Sequence, residues 1–532
     1  MRARRAHAAP ADLPHIKRDP ELLAPFLEDA AHFPGGHAAG LALPGNESGV
    51  AAVLLAAASV LPIGAQSSLT GGATPMGDML LGTSRLNRIL DIGNDWVRVQ
   101  AGVTLAELEQ SLSNAGKYYP PVPTFAGACI GGTAATNAAG AGTFKYGTTR
   151  DWVQALTVVL ANGDVLDIER GETFASPEGV FEITLSDRTV RVPTPSYRMP
   201  DVPKRSAGYF AAPEMDLIDL FIGCEGTLGV ITQLTLRVMA NRPARCLAFV
   251  PLADRLLALE LVAKLRTAAL ETWRTRDTRG LDISAIEHVD RRCLDLLRED
   301  GVDRLQGVNL PRDVEMAILV TLELQGDVRP ERVFDQIGRA RDPDAPDTPL
   351  VRFCRLLDES AALDSVEIAI PGDESRASQL LAAREAVPAA VNARIGRAKL
   401  AVDPRIEKTA ADMIVPFARL GELLTIYDDE FRRRELDAAI WGHISDGNLH
   451  PNVIPRTWAD VESGKQAILT LGRRVIALGG SPLAEHGVGR NPIKQQFVAD
   501  LYGQTGIDEM RAIKRALDPE WKLAPGVLFP RD

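Results

Sequence analysis

Between Tyr119 and Arg150 the chain reads YPPVPTFAGACIGGTAATNAAGAGTFKYGTTR. Glycines stand at 127, 131, 132, 140, 142 and 147, with six alanines among the positions between. So few bulky apolar groups support neither an amphipathic helix nor a half-buried strand. What such a run offers is bare backbone, whose N–H groups approach an anion closely and whose glycines turn successive N–H groups into one concavity. A pyrophosphate suits such a cradle. The competing reading is a flexible, solvated Gly/Ala loop. The flanks favour the cradle: periodic sequence lies on both sides, and a second glycine-rich run, LPIGAQSSLTGGATPMG at 61–77, lies upstream. That run follows a helical pattern over 47–59 and a strand-like Val60–Ile63. Neither run contains G-x-G-x-x-G or G-x-x-x-x-G-K-[ST], so a Rossmann fingerprint and a P-loop are both unsupported.

A length of 532 residues exceeds what one core fills, so two or more domains are expected. The net charge of −11 argues against a nucleic-acid partner, whose phosphates call for a basic surface. Small anionic substrates stay open, because a local pocket can oppose the global sign. Five scattered cysteines without C-x-x-C spacing argue against iron–sulfur and four-cysteine zinc sites and for a reducing compartment. No apolar run reaches the length of a membrane span, and the basic start MRARRAHAAPADLPHIKR lacks the apolar core of a secretory signal. A cytoplasmic protein is expected, with peripheral membrane association left open.

The pattern predicts a strand at 96–100, then a helix opened by the capping box Thr104-x-x-Glu107 and closed at Gly116. Asn162-Gly163 predicts a hairpin between strands at 156–161 and 164–168. The texture changes at 241–243. Strand-like runs at 246–250, 317–324, 366–370 and 412–415 then alternate with helical ones at 253–272, 330–340, 375–395 and 417–434, an antiparallel sheet with helices on one face.

Within that region AAIWGHISDGNLHPNVI, at 438–454, is the chemically informative stretch. Asp446-Gly447 between two extended runs predicts a two-residue type I′ hairpin, which sets His443 directly opposite His450 on one face. Two imidazoles so placed can grip one cation. Glu485, beside His486 in AEHGVG, supplies a carboxylate for a His₂Glu set with an open fourth position. The alternative is a hydrogen-bonded histidine pair without metal. A neutral histidine is also the natural base near neutral pH, which makes His486 a candidate base, or else a support for the ligands.

Three motifs in order, P-x-G-x-x-[ST]-S-L-T-G-G, P-P-x-P through G-G-x-x-A-T-N-A-A-G to K-Y-G-x-T-R-D, and LFIGCEGTLGVI at 220–231, resemble the FAD-linked oxidases of the vanillyl-alcohol oxidase and p-cresol methylhydroxylase superfamily. Within it the chain is similar to the D-lactate, glycolate and D-2-hydroxyglutarate dehydrogenase group. The resemblance implies an α+β fold, with a two-part FAD-binding domain of the p-cresol methylhydroxylase (PCMH) type and an α+β cap domain on an antiparallel sheet. The implied boundaries are an N-terminal arm (1–43), the FAD domain (44–240), the cap (241–490) and a segment returning to the FAD domain (491–532). It implies FAD contacts at Ile63, Gly64, Ala65, Gln66, Ser67, Ser68, Gly71 and Gly72. Further contacts are implied at Pro123, Thr124, Gly127, Gly131, Gly132, Thr136, Asn137, Gly142, Tyr146 and Gly147, and again at Glu225, Gly226, Gly229 and Ile231. The Lys204 segment is implied to pass near the cofactor.

The same resemblance implies a divalent metal, Zn²⁺ or Mn²⁺, on His443, His450 and Glu485, with Arg384 for the substrate carboxylate and Asn448 and Lys408 as further substrate contacts. The implied reaction takes a D-2-hydroxy acid to the 2-oxo acid with hydride to flavin N5, the electrons leaving to a quinone, cytochrome, electron-transfer flavoprotein or oxygen. A homodimer is compatible with the group. The run Pro62–Met76 carries no histidine or cysteine, so noncovalent FAD is expected. Family R-G-G-G-T-S is here Ile63–Ser68 and family Asn-Pro-Gly is Ala524-Pro525-Gly526, so individual contacts differ from the family pattern. Two rivals share these features: an alkylglycerone-phosphate-synthase-like transferase and a non-enzymatic flavin electron-transfer subunit.

Overall fold

The computed structural model describes residues 1–6, 12–121, 123, 125–325 and 328–530. The chain forms two compact units, one of 1–140, 147–242 and 481–532, the other of 141–146 and 243–480.

The first unit contains two main sheets. A three-stranded parallel sheet sets Met76–Gly82 between His37–Ala42 and Val60–Ile63. Its strands are apolar with little alternation, as strands buried on both faces are. A six-stranded antiparallel sheet runs Arg4–Arg5, Asp164–Glu169, Val153–Val159, Val230–Arg237, Trp96–Gln100, Ile89–Ile92. Helix Glu47–Ala56, capped by the Asn46 side chain accepting from Gly49 N–H at 2.9 Å, is buried over Gly49–Leu54. Its Val50, Val53 and Leu54 pack with Val60 and Leu81 of the small sheet and Val159, Val165 and Val230 of the large one. One core therefore joins both sheets.

The capping box forms reciprocally: Glu107 N–H donates to Thr104 Oγ1 at 3.2 Å and Thr104 N–H to Glu107 Oε2 at 2.8 Å. The helix it opens spans Leu105–Asn114. The glycine-rich run does contain helix, in two short pieces, Ile130–Ala135 and Thr143–Tyr146. Neither needs an apolar stripe. The first packs by its own backbone: a Cβ on Gly131 would lie 2.6 Å from Ala101 Cβ. At the C-terminus a long helix spans Pro492–Leu517, with a break at Gly503.

The second unit is built on an eight-stranded sheet in the order Glu367–Ala369, Ala244–Leu252, Met316–Leu324, Ile283–Asp290, Ala438–His443, Asn448–Val453, Thr409–Ala410, with Met413–Ile414 also paired to Asn448–Val453. All these pairings are antiparallel. Leu247, Phe249, Val289, Ala317 and Leu319 form a core with Leu294 and Leu297 of helix Arg291–Glu299 and Leu380, Val387 and Val391 of helix Glu374–Ala401. Ile283–Asp290, absent from the sequence-based expectation, is an inner strand of the sheet. The 141–146 piece of the glycine run belongs to this unit. There Lys145 pairs with Asp282 and Glu323, and Tyr146 O–H donates to Glu323 at 2.6 Å.

Near the C-terminus of the first unit the fully buried Lys514 donates to Asp518 at 2.8 Å and to the carbonyls of Thr227 and Leu523. Removing one partner of a buried ion pair leaves an uncompensated charge, so Asp518→Ala is expected to cost about 3–5 kcal/mol. Denaturant unfolding checks this, and a loss below about 1 kcal/mol would contradict it.

Candidate active site

In the first unit the glycine runs meet at close range. Gly64 lies against Cys129, with a Cβ on it falling 3.1 Å from Cys129 Cβ, and a Cβ on Gly226 would stand 3.5 Å from Pro62. Gly223 N–H and Glu225 N–H donate to Ala134 O and Ala135 O at 2.9 and 2.7 Å, which ties the EGTLG turn to the Ile130–Ala135 helix. Thr136 Oγ1 donates to Gly132 O, and Asn137 Oδ1 accepts from Arg150 N–H. Gln66 uses its amide to close its own loop, donating to Phe26 O and Ala73 O, and Ser68 Oγ lies 3.1 Å from Thr70 Oγ1. Gly71 lies under the Phe33 ring. Ile231 lies in the Val230–Arg237 strand, and Gly229 just before it packs on Val158.

The remaining expected contacts are more dispersed. Ala65 is exposed, while Ser67, Pro123 and Gly127 are half-buried. Thr124 lies outside the described residues. Gly142 and Tyr146 belong to the second unit, whereas Gly147 belongs to the first.

Glu225 clasps the AEHGVG turn. Its carboxylate accepts from Val488 N–H at 2.7 Å and Gly489 N–H at 2.8 Å. Gly489 must be glycine here: its φ is +58° and a Cβ would lie 2.3 Å from Thr70 Oγ1. In the same turn Glu485 pairs with the fully buried Lys204, and Ser206 Oγ donates to Glu485 O at 3.3 Å. His486 is half-buried, its Nε2 3.9 Å from Glu485 Oε2.

The histidine hairpin differs from the expected register. His443 pairs with Asn448, and His450 pairs with Trp441. A 3₁₀ turn over Ile444–Asp446 followed by left-handed Gly447 makes the connection four residues long instead of two. The pairing slips by two positions, which preserves parity, so the imidazoles share a face as diagonal neighbours instead of opposed ones. Their ring centroids are 5.4 Å apart, nearly perpendicular, and a ring nitrogen of one lies within 4.8 Å of the other's.

Each ring has a carboxylate on Nδ1. Glu287 Oε1 lies 2.8 Å from His443 Nδ1, and Asp412 Oδ1 lies 3.3 Å from His450 Nδ1. Burial alone would raise the Glu287 carboxyl, but Arg384 and His443 outweigh it and hold it at about 2. Arg384 engages Glu287 through Nε. A cavity of about 10 Å³ touches Arg384, Glu287 and His288, room for about one water. Asn448 donates its amide to Asp412 and to Met413 O, at 2.9 and 3.0 Å, and Lys408 is exposed. Sequence reasoning missed Glu287 and Asp412, and did not pair Lys204 with Glu485. For Glu287 the signal was Glu-His set between the apolar Ala285-Ile286 and Val289.

Both implied groups fit the residues present. Gly132, on the Ile130–Ala135 helix, is open: a Cβ there would meet nothing within 4 Å, so this backbone has space in front of it for a ligand. For a metal, two buried imidazoles with ring nitrogens within reach of each other, His443 with Nδ1 on the Glu287 carboxylate and its Nε2 thereby left as a donor, are a set suited to Zn²⁺.

Comparison with known proteins is consistent with this construction. Residues 38–169 match the FAD binding domain family, and residues 254–528, over half the chain, match the FAD linked oxidases, C-terminal domain. The chain belongs to the FAD-linked oxidases. This flavoprotein family member is 29% identical to a D-2-hydroxyglutarate dehydrogenase of Xanthomonas citri pv. viticola over 99% of this chain and 94% of that one. It is 27% identical to the glycolate oxidase subunit GlcD of Bacillus subtilis, over 89% and 84%. A D-lactate dehydrogenase of Anaerostipes hadrus is 26% identical over 88% and 83%. Among solved structures, an alkyldihydroxyacetonephosphate synthase superposes with a TM-score of 0.57 at 15% identity, covering 92% of this chain and 76% of that one, a likeness of fold. Among the described residues no helix is long and apolar enough to cross a membrane.

Burial pushes the Glu225 carboxyl up to about 7, against the two backbone N–H groups that favour its charged form. The folded state then keeps a proton that the unfolded chain loses near 4.5, so this group's contribution falls as pH rises from about 4.5 through 7. Relative to Glu225→Gln, which cannot titrate, the wild type is expected to lose on the order of 3 kcal/mol across that window. Paired unfolding curves at pH 4.5 and pH 8 measure it, and a constant difference would contradict it.

Proposed function

We propose that this FAD-linked oxidase oxidises a D-2-hydroxy acid of the lactate, glycolate or 2-hydroxyglutarate kind to the 2-oxo acid, with a divalent metal assisting. The observation that carries the reading is the buried histidine pair with a carboxylate on Nδ1 of each ring, in a chain whose relatives are named for 2-hydroxy acids. Bound noncovalently, FAD would take the Cα hydride at N5, while Zn²⁺ or Mn²⁺ would lower the pKa of the substrate hydroxyl.

The chain's own residues divide the remaining work. His443 and His450 serve as imidazole ligands and Glu485 as the carboxylate ligand. Lys204 balances the charge of Glu485 in its buried setting. His486, half-buried beside Glu485, receives the hydroxyl proton, the task of a general base near neutral pH. Arg384 binds the substrate carboxylate with its terminal nitrogens, since Nε is engaged by Glu287. Asn448, whose amide donates to Asp412, steadies the carboxylate on His450, and Lys408 is left as a selectivity contact at the exposed edge. The five buried, scattered cysteines offer no iron–sulfur relay, so electrons pass to an external acceptor, whether quinone, cytochrome, electron-transfer flavoprotein or oxygen.

Anaerobic mixing with D- and L-lactate, glycolate and D-2-hydroxyglutarate tests the reading. At least one of these acids, with the D form preferred where the acid is chiral, is expected to bleach the flavin band, chelation to abolish bleaching, and Zn²⁺ or Mn²⁺ to restore it. His486→Ala is expected to slow bleaching by about 10²–10⁴-fold. Absence of bleaching with every acid would overturn the reading and favour the transferase or electron-transfer alternatives.

A further inference from the structure

We propose that Glu287 is a positioning residue that fixes His443 in its metal-binding tautomer and aims Arg384 at an anion, both through one carboxylate. The proposal rests on the metal-assisted reading above.

Glu287 stands directly opposite His443 in the pairing of Ile283–Asp290 with Ala438–His443. Its two oxygens are divided between two partners. Oε2 accepts from Arg384 Nε, and Oε1 faces His443 Nδ1 at 2.8 Å. A guanidinium always carries its protons, so the carboxylate it pairs with is ionised and can only accept. The hydrogen between Oε1 and the ring therefore sits on Nδ1, which leaves the lone pair on Nε2.

Arg384 is constrained by the same group. Nε belongs to the rigid plane of the guanidinium, so holding Nε to a fixed oxygen removes rotation about the end of the side chain. The two terminal nitrogens remain as a planar fork for an oxyanion. The side chains of Arg384 and Glu287 are only 12% and 10% exposed, which limits water's competition for either contact. A plain structural ion pair would account for Arg384 on Glu287 but not for the second oxygen on an imidazole. The other hairpin histidine also has a carboxylate nearby, Asp412 Oδ1 at 3.3 Å from Nδ1 of His450, itself held by the Asn448 amide. For both rings the carboxylate sits on the Nδ1 side.

The test uses the full-length flavoprotein stripped of metal. Zn²⁺ affinity is measured by competition with a chelating dye, and KM and kcat for the bleaching acid are measured at saturating Zn²⁺. Glu287→Gln can turn its NH₂ toward Nδ1 and force the wrong tautomer, so Zn²⁺ binding is expected to weaken about 10–100-fold. The amide oxygen of that variant can still accept from Arg384 Nε, so the second arm is read in Glu287→Ala, where nothing holds the fork and KM at saturating Zn²⁺ is expected to rise at least tenfold. Should either variant fail to fold with its unpaired guanidinium charge, Glu287→Gln with Arg384→Met removes the charge and reads the His443 arm alone, with the same weakening expected. Unchanged Zn²⁺ affinity in a variant beside a wild type that binds Zn²⁺ overturns the proposal and leaves the functional reading standing. Weakened Zn²⁺ with unchanged KM in Glu287→Ala overturns the Arg384 arm. A wild type that neither binds Zn²⁺ nor is bleached by any 2-hydroxy acid overturns the functional reading and this proposal together.

Discussion

At particular points in the first unit the main chain of a glycine comes so close to its neighbours that no residue with a Cβ fits. Gly131 against Ala101 and Gly489 against Thr70 leave less than 3 Å for a substituent. That closeness brings the EGTLG turn within hydrogen-bond reach of the Ile130–Ala135 helix and lets the Glu225 carboxylate clasp the turn that carries Glu485 and His486. The sparse side chains along these runs are thus what allows dispersed segments of sequence to share one wall. A surface of peptide N–H groups and open glycine is chemically fit for a diphosphate, because it supplies donors without bulk.

The second unit follows a different logic, in which side chains carry the chemistry and the sheet supplies precision. Glu287, His443 and His450 all lie on neighbouring strands of one antiparallel sheet, and Asp412 immediately precedes one of its short strands. Strand pairing fixes Cβ positions closely, so side chains set on it hold tighter geometry than loops allow. Burying a carboxylate beside an imidazole and a guanidinium is favourable only when every oxygen has a partner, and both oxygens of Glu287 do.

The elements written in local sequence were legible. Thr104 and Glu107 formed their box, Asn162-Gly163 turned a hairpin, and Val60–Ile63 formed a strand, because capping, turn chemistry and apolar runs act over a few residues. Elements fixed by tertiary contact were not. ISAIEHVD has polar residues at its centre and reads weakly as a strand, yet it is paired on both sides in the interior of the sheet. The hairpin of the histidines was found but misregistered, since Ile444-Ser445 entered a 3₁₀ turn that nothing in Asp446-Gly447 announced. The two imidazoles still share a face, because a slip of two keeps side chains on the same side of the sheet. Glu287 and Asp412 were invisible as neighbours for a plainer reason: they lie 156 and 38 positions from the histidines they face.

The claim on which the account stands is that open backbone in the first unit holds FAD, and Gly132 measures it most directly. A Cβ at that position meets no protein atom within 4 Å, so Gly132→Leu should fold while filling the space a cofactor would use. Flavin bound per chain, read from the visible spectrum of the purified variant alongside an unchanged far-ultraviolet circular dichroism spectrum, is the decisive quantity. The account predicts a folded, colourless protein that does not take up added FAD. A folded variant carrying flavin at the wild-type level would contradict it.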